Sequence, residues 1–132
     1  MRKDIFDLAK EVFDLASINK ELITSAESCT GGMLSSAITE IPGSSAIFEC
    51  GFVTYSNISK VKLLSVNENT LHYHGAVSEE VAGEMAIGAL NNSQAGLAIS
   101  ITGIAGPGGS IKKPEGMVCF SIAIKNEIKL TE

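Results

Sequence analysis

The sequence predicts a single layered α/β domain, and three observations carry that prediction. Helix-like and strand-like stretches alternate along the whole chain, which points to helices on both faces of a sheet. The length of 132 residues suits one domain with one core. Hydrophobic residues make up 45% and charged residues 19%, the balance of a globular chain. Aromatics are only 5% and Trp is absent, so Ile, Leu, Val, Ala and Met must fill the core.

The first helix is expected from Ile5, Leu8, Ala9, Val12, Phe13 and Ala16, which recur at three- and four-residue steps. Asp4 can cap its start, and Asn19 with Lys20 marks its end. A short strand over residues 22–26 follows, and then the polar junction Glu27-Ser28-Cys29-Thr30-Gly31-Gly32. Met33, Leu34, Ala37 and Ile38 give a second helix, which Pro42 brings to an end. Residues 46–55, rich in Ile, Phe, Val and Tyr, read as a second strand. Ser56 or Asn57 can cap a short helix holding Lys60 in its first turns. Residues 65–76 are expected to form a loop with a hairpin-like or extended piece. Ser78-Glu79-Glu80 starts the clearest helix, with a hydroxyl cap and two acids at the positive end of its dipole. Residues 95–102 form an apolar run expected to be a buried strand, broken by the glycine-rich loop 103–109. Residues 116–124 and 128–131 read as a terminal strand pair turning at Asn126-Glu127.

Charge and cysteine content narrow the function classes. A net charge of −5 argues against nucleic-acid binding through bulk charge. A small anionic ligand remains compatible, because local N–H groups and one or two cations can hold a phosphate. No apolar run approaches the roughly 20 residues that span a bilayer. The opening residues lead straight into an amphipathic pattern with no signal-peptide apolar region. Cys29, Cys50 and Cys119 are odd in number and lack metal-ligand spacing, so free thiols and a cytoplasmic setting are expected. His72 and His74 would share a face of a strand, but no acidic or thiol partner at ligand spacing accompanies them.

Three polar junctions sit at strand ends, where ligands collect in open α/β sheets. The first is the segment at residues 27–32, where glycines allow close backbone approach and a helix start favours an anion. The second is Thr102-Gly103-Ile104-Ala105-Gly106-Pro107-Gly108-Gly109. Neither matches a phosphate-binding loop ending in Gly-Lys or the dinucleotide fingerprint. The third is Thr54-Tyr55-Ser56-Asn57-Ile58-Ser59-Lys60. Lys60 is either a solvated charge or, with a lowered pKa, a general base. Serine needs such a base, and no Gly-x-Ser-x-Gly elbow supports a Ser-His-Asp triad. A Ser-Lys arrangement with Tyr55 as proton relay is therefore the more natural hydrolytic reading. A Cys29 thiol with His72 or His74 as base is the competing one, and it requires a depressed thiol pKa.

Together the segments resemble the C-terminal domain family of CinA, the competence/damage-inducible proteins. The matching pieces are the residues 27–32 junction, Pro42-Gly43-Ser44-Ser45, and Gly51-Phe52-Val53-Thr54-Tyr55-Ser56-Asn57 with Lys60. His74-Gly75-Ala76-Val77-Ser78 and residues 101–109 with Lys113-Pro114-Glu115-Gly116 complete them. The resemblance implies one α/β/α domain over residues 1–132 around a mixed central sheet, in a homo-oligomer. It implies nicotinamide-nucleotide amidase activity without metal or organic cofactor: nicotinamide mononucleotide and water give nicotinate mononucleotide and ammonia. On this resemblance Ser45 is the nucleophile, Lys60 its base and Tyr55 an aid to proton transfer, with Ser28 the alternative nucleophile. Ser28, Thr30, Gly31, Gly32, Thr102 and Gly103 would bind the phosphate or the oxyanion. The family usually continues into a Gly-Asp-Arg segment and a C-terminal helix, whereas this chain stops at Thr131-Glu132. The expectation is a shortened domain lacking that helix, with apolar surface for a partner subunit. A catalytically impaired form that binds a nucleotide or serves in assembly is the alternative function.

Overall fold

Caps set most helix boundaries. The computed structural model describes residues 2–110, 112–125 and 130–132. Helix α1 (Lys3–Asn19) ends where Lys20 adopts a left-handed φ of 53°. Asp4 is not its cap; it lies in the first turn, paired with Arg2 at 2.8 Å. Helix α2 (Met33–Thr39) begins after Gly32 at φ 110°, a conformation that favours glycine. Helix α3 (Asn57–Leu64) is capped by Ser56, whose hydroxyl accepts the Ser59 N–H at 3.1 Å. Helix α4 (Glu68–His74) and helix α5 (Glu79–Asn91) follow. Ser78 caps α5 by accepting the Val81 N–H at 3.2 Å.

Helix α4 corrects the extended piece expected over residues 65–76. Asn67 caps it by accepting the Asn69 N–H at 2.8 Å, and the Glu84 carboxylate accepts the Asn67 N–H. The helix buries none of its residues, so it leaves no apolar stripe in the sequence. His72 and His74, two positions apart on a helix, leave it ~200° apart rather than on one face.

The strands are β1 (Ile23–Glu27), β2 (Phe48–Val53), β3 (Leu97–Gly103), β4 (Val118–Ile124) and β5 (Leu130–Thr131). They form one sheet in the order β2-β1-β3-β4-β5. β1 runs parallel to β2 and β3, and β4 runs antiparallel to β3 and β5. The sheet is therefore mixed, as expected. β2 is shorter than the predicted strand over 46–55, because Ser44–Ala46 close a 3-10 turn before it. The turn expected at Asn126-Glu127 lies outside the described residues.

Helices cover both faces. On one, α5 lays Val81, Met85, Ala86 and Ala89 against Ala26, Ala98 and Ala123 of the sheet, with Leu64 and Val66. A small residue lets α3 approach α5: a Cβ at Gly88 would stand 2.0 Å from the Leu64 carbonyl oxygen. On the other face Ala16, Ile23, Ile38 and Ile47 form a second cluster with Val12, Phe13 and Phe48. A register shift between the Ile23 and Thr24 pairs puts Phe48 and Phe52 on opposite faces. Beyond α1 this second face stays open, as an apolar groove of about 320 Å³ lined by Val12, Leu15, Leu97, Ile99 and Ile122 among others. No helix among the described residues is long and apolar enough to cross a membrane.

The topology matters for function. Because β2, β1 and β3 are parallel neighbours, the segments after Val53, Glu27 and Gly103 emerge at one end of the sheet. All three predicted polar junctions therefore meet there.

Candidate active site

Lys60 is the centre of that end. It is 1% exposed, although it carries an amine on a helix that begins at the surface. Its Nζ lies 2.8 Å from Ser28 Oγ, 2.7 Å from the Thr54 carbonyl oxygen and 3.3 Å from the Tyr55 carbonyl oxygen. Three acceptors thus match three ammonium hydrogens. Burial holds the Lys60 pKa below the usual lysine range, and the neighbouring Cys29 thiol works in the opposite direction. A neutral amine fits the same cage: two N–H groups donate to the carbonyls, and the lone pair accepts the Ser28 hydroxyl proton.

Ser28 is held by the turn after β1. Its main-chain N–H donates to the Ile101 carbonyl at 2.9 Å, and its own carbonyl accepts the Gly31 N–H at 3.0 Å. Under the turn lies Glu27, fully buried at the end of β1. Its carboxylate accepts the Thr30 hydroxyl at 2.7 Å, the Gly32, Leu34 and Ser35 N–H groups, and the Ser35 hydroxyl at 2.7 Å. Burial pushes its pKa up, but these donors outweigh it and hold the carboxyl below its ordinary range. Glu27 therefore takes the start of α2, where the sequence suggested an anionic ligand. The Gly31 and Gly32 N–H groups are both engaged, and the Thr30 hydroxyl points inward. Sequence reasoning missed Glu27 as a functional residue. The signal was there: Gly32, the cap position of α2, has no side chain, so the cap must come from elsewhere.

The other wall comes from β3. Thr102 is buried and donates its hydroxyl proton to the Ala76 carbonyl at 2.9 Å, tying the start of α5 to the strand end. A Cβ on Gly103 would stand 2.9 Å from Cys29 Sγ, so glycine there lets the two loops close on each other. Burial raises the Cys29 pKa, against the pull of the Cys29 and Thr30 N–H groups and of Lys60. A raised pKa is the reverse of what a thiol nucleophile requires. His74 sits instead beside Glu80, Nδ1 3.6 Å from Oε1. The Thr54 hydroxyl is buried with no partner among the described residues.

Two predicted residues lie elsewhere. Ser45 is exposed on the 3-10 turn before β2, whereas Lys60 follows that strand. Six residues of strand, roughly 20 Å, separate the two ends. Within one chain Ser45 and Lys60 do not meet, and it is Ser28 that meets Lys60. The Tyr55 side chain is 70% exposed, and only its carbonyl touches Lys60.

The family model described as the CinA C-terminal domain matches residues 5–132. The chain belongs to the CinA C-terminal domain family. The motif resemblance is thereby borne out. A nicotinamide-nucleotide amidohydrolase PncC of Enterobacter agglomerans is 50% identical over 130 residues, covering 98% of this CinA domain and 79% of that protein. PncC of Escherichia coli strain K12 is 52% identical over 121 residues, 91% of the domain and 73% of that protein. A CinA-like protein of Chloroherpeton thalassium is 60% identical over 102 residues, and the domain spans about a quarter of its length (24%). Among solved structures, the competence/damage inducible protein CihA from Agrobacterium tumefaciens superposes with a TM-score of 0.97 at 44% identity. That match covers 100% of the CinA domain and 81% of the solved chain.

Proposed function

We propose that this CinA domain hydrolyses the carboxamide of nicotinamide mononucleotide through Ser28 as nucleophile and Lys60 as general base. The observation that carries the proposal is the 2.8 Å contact between Ser28 Oγ and a buried Lys60 Nζ. Relatives named nicotinamide-nucleotide amidohydrolase, identical at about half of the aligned positions, supply the substrate class.

The chemistry follows from the cage around Nζ. Neutral Lys60 takes the Ser28 hydroxyl proton as Oγ attacks the carboxamide carbon. The Cys29 and Thr30 N–H groups, which lie against the Cys29 sulfur, would donate to the oxyanion once the substrate is bound. Lys60 then passes its proton to the amide nitrogen, the C–N bond breaks, and ammonia leaves an acyl ester on Ser28. Water attacks that ester with Lys60 again taking the proton, releasing nicotinate mononucleotide and restoring Ser28. No metal or organic cofactor enters any step. Thr102 and Gly103 shape the neighbouring wall, and the exposed Tyr55 side chain would aid proton transfer from the rim.

A second copy is the route by which Ser45 would enter the site. β2 is an edge strand, and Met33, Val53, Tyr55 and Ile58 are exposed around it. Antiparallel pairing of two β2 edges would bring one copy's Ser45 end beside the other's Tyr55 and Lys60. A homo-oligomer acting on the cytoplasmic pool of pyridine nucleotides is the setting this implies.

The experiment is ammonia release from nicotinamide mononucleotide by the purified chain, with Lys60→Ala as control. Release that the control abolishes is expected. Stabilisation by the nucleotide with no release from folded protein would favour a binding role and refute the amidase.

A further inference from the structure

We propose that Glu27 is a positioning residue for the Ser28–Lys60 pair, its buried carboxylate locking the turn that presents Ser28. The proposal rests on Ser28 and Lys60 being the reacting groups. Glu27 itself touches neither reacting atom.

Glu27 holds both sides of the pair. Through its side chain it gathers Thr30, Gly32, Leu34 and Ser35, the whole run from the Ser28 turn into α2. Through its carbonyl it accepts the Thr54 N–H at 2.8 Å, and the Thr54 carbonyl in turn accepts Lys60 Nζ. One residue is thus one peptide bond from the serine and one hydrogen-bonded step from the lysine's acceptor. A small rotation of the turn would alter the Oγ–Nζ contact directly.

The carboxylate is itself anchored from below. The single Ser35 hydroxyl proton goes to Glu27, so in the 2.8 Å contact between Ser35 Oγ and Ser25 Oγ the proton comes from Ser25. Ser25 and Glu27 alternate on β1 and so face the same side of the sheet. Residue 51 of the adjacent strand must leave room for this hydroxyl pair. A Cβ there would stand 2.5 Å from Ser35 Oγ and 2.8 Å from Ser25 Oγ, and the residue is Gly51. A capping acid alone would need none of this second layer. The arrangement limits how far the carboxylate, and with it the Ser28 turn, can move. It also fills the start of α2 with an internal anion, so the substrate's phosphate must be held elsewhere.

The test compares the wild-type chain with Glu27→Gln and the milder Ser35→Ala, which removes one of the five bonds. Three quantities are read: kcat, KM for nicotinamide mononucleotide, and the titration of Lys60 Nζ followed by nitrogen NMR. Glu27→Gln keeps the shape but turns an acceptor into a donor facing donors. Its kcat should fall by about 10²-fold, the scale of a misplacement near 1 Å, with KM little changed. The Lys60 titration should move up toward the ordinary lysine value as water reaches the loosened pair. Ser35→Ala should move both quantities the same way by less. Folded variants with wild-type kcat and an unmoved titration would overturn the proposal. If Glu27→Gln does not fold, Ser35→Ala decides by the same two readouts. If the wild type releases no ammonia, the amidase fails but the titration still tests the positioning role.

Discussion

Ser28→Ala removes one oxygen from the centre of the proposed chemistry, and the structure sets the size of the effect. Ser28 Oγ is one of three acceptors around Lys60 Nζ, 2.8 Å away in a buried cage. The substitution leaves the two carbonyls in place, so Lys60 stays two-thirds satisfied and the fold should survive. Loss of that single bond costs about 1.5–3 kcal/mol if the amine is charged and about 0.5–1.5 kcal/mol if it is neutral. The rate loss is much larger, on the order of 10⁴-fold or more, because nothing else in the cage can form the acyl ester. Ser45→Ala is the matched comparison. Ser45 is exposed on the far side of β2, and its removal should change stability by less than about 0.5 kcal/mol. The assay is ammonia release at saturating nicotinamide mononucleotide, with thermal denaturation of each variant. A Ser28→Ala variant at wild-type rate, beside an inactive but folded Ser45→Ala, would refute Ser28 as nucleophile. It would move the chemistry to a serine delivered by a second copy.

The pH dependence follows from the lowered Lys60 pKa. Neutral Lys60 is the base, so kcat/KM should rise with pH and level off below the ordinary lysine value of about 10.4. The unfolded chain keeps the lysine proton to higher pH than the folded one, so stability should also rise with pH between the two values. A rate that shows no rise with pH below that plateau would exclude Lys60 as the base. At the α3–α5 contact, Gly88→Ala puts a Cβ against the Leu64 carbonyl and should cost about 1–3 kcal/mol as the helices separate. Thermal denaturation measures it, and an unchanged Tm would show that the end of α3 yields freely.

Much of the fold was legible because its causes are local. The Ser56 and Ser78 caps act on N–H groups three residues away, and the alternation of apolar runs exposes the layers whatever the final packing. Helix α4 was not legible, because it buries none of its residues and its cap alone is a weak signal. The site was legible as three polar strand ends but not as a set of partners. The residues alone left Lys60 open between a solvated charge and a base, and the family resemblance paired it with Ser45 while keeping Ser28 as the alternative. Ser28 lies 32 positions from Lys60 and Ser45 only 15, but β2 carries Ser45 and Lys60 to opposite ends of the sheet. What the sequence determined by itself was the layered α/β class, the motif set of the CinA C-terminal domain and the residue types that could do acyl chemistry. Only the tertiary structure decided that Ser28 meets Lys60, that Glu27 rather than a ligand fills the start of α2, and that burial raises the Cys29 pKa. The physical reason is that pairing, burial and pKa depend on distances between strands, and those exist only once the sheet has set its order and register.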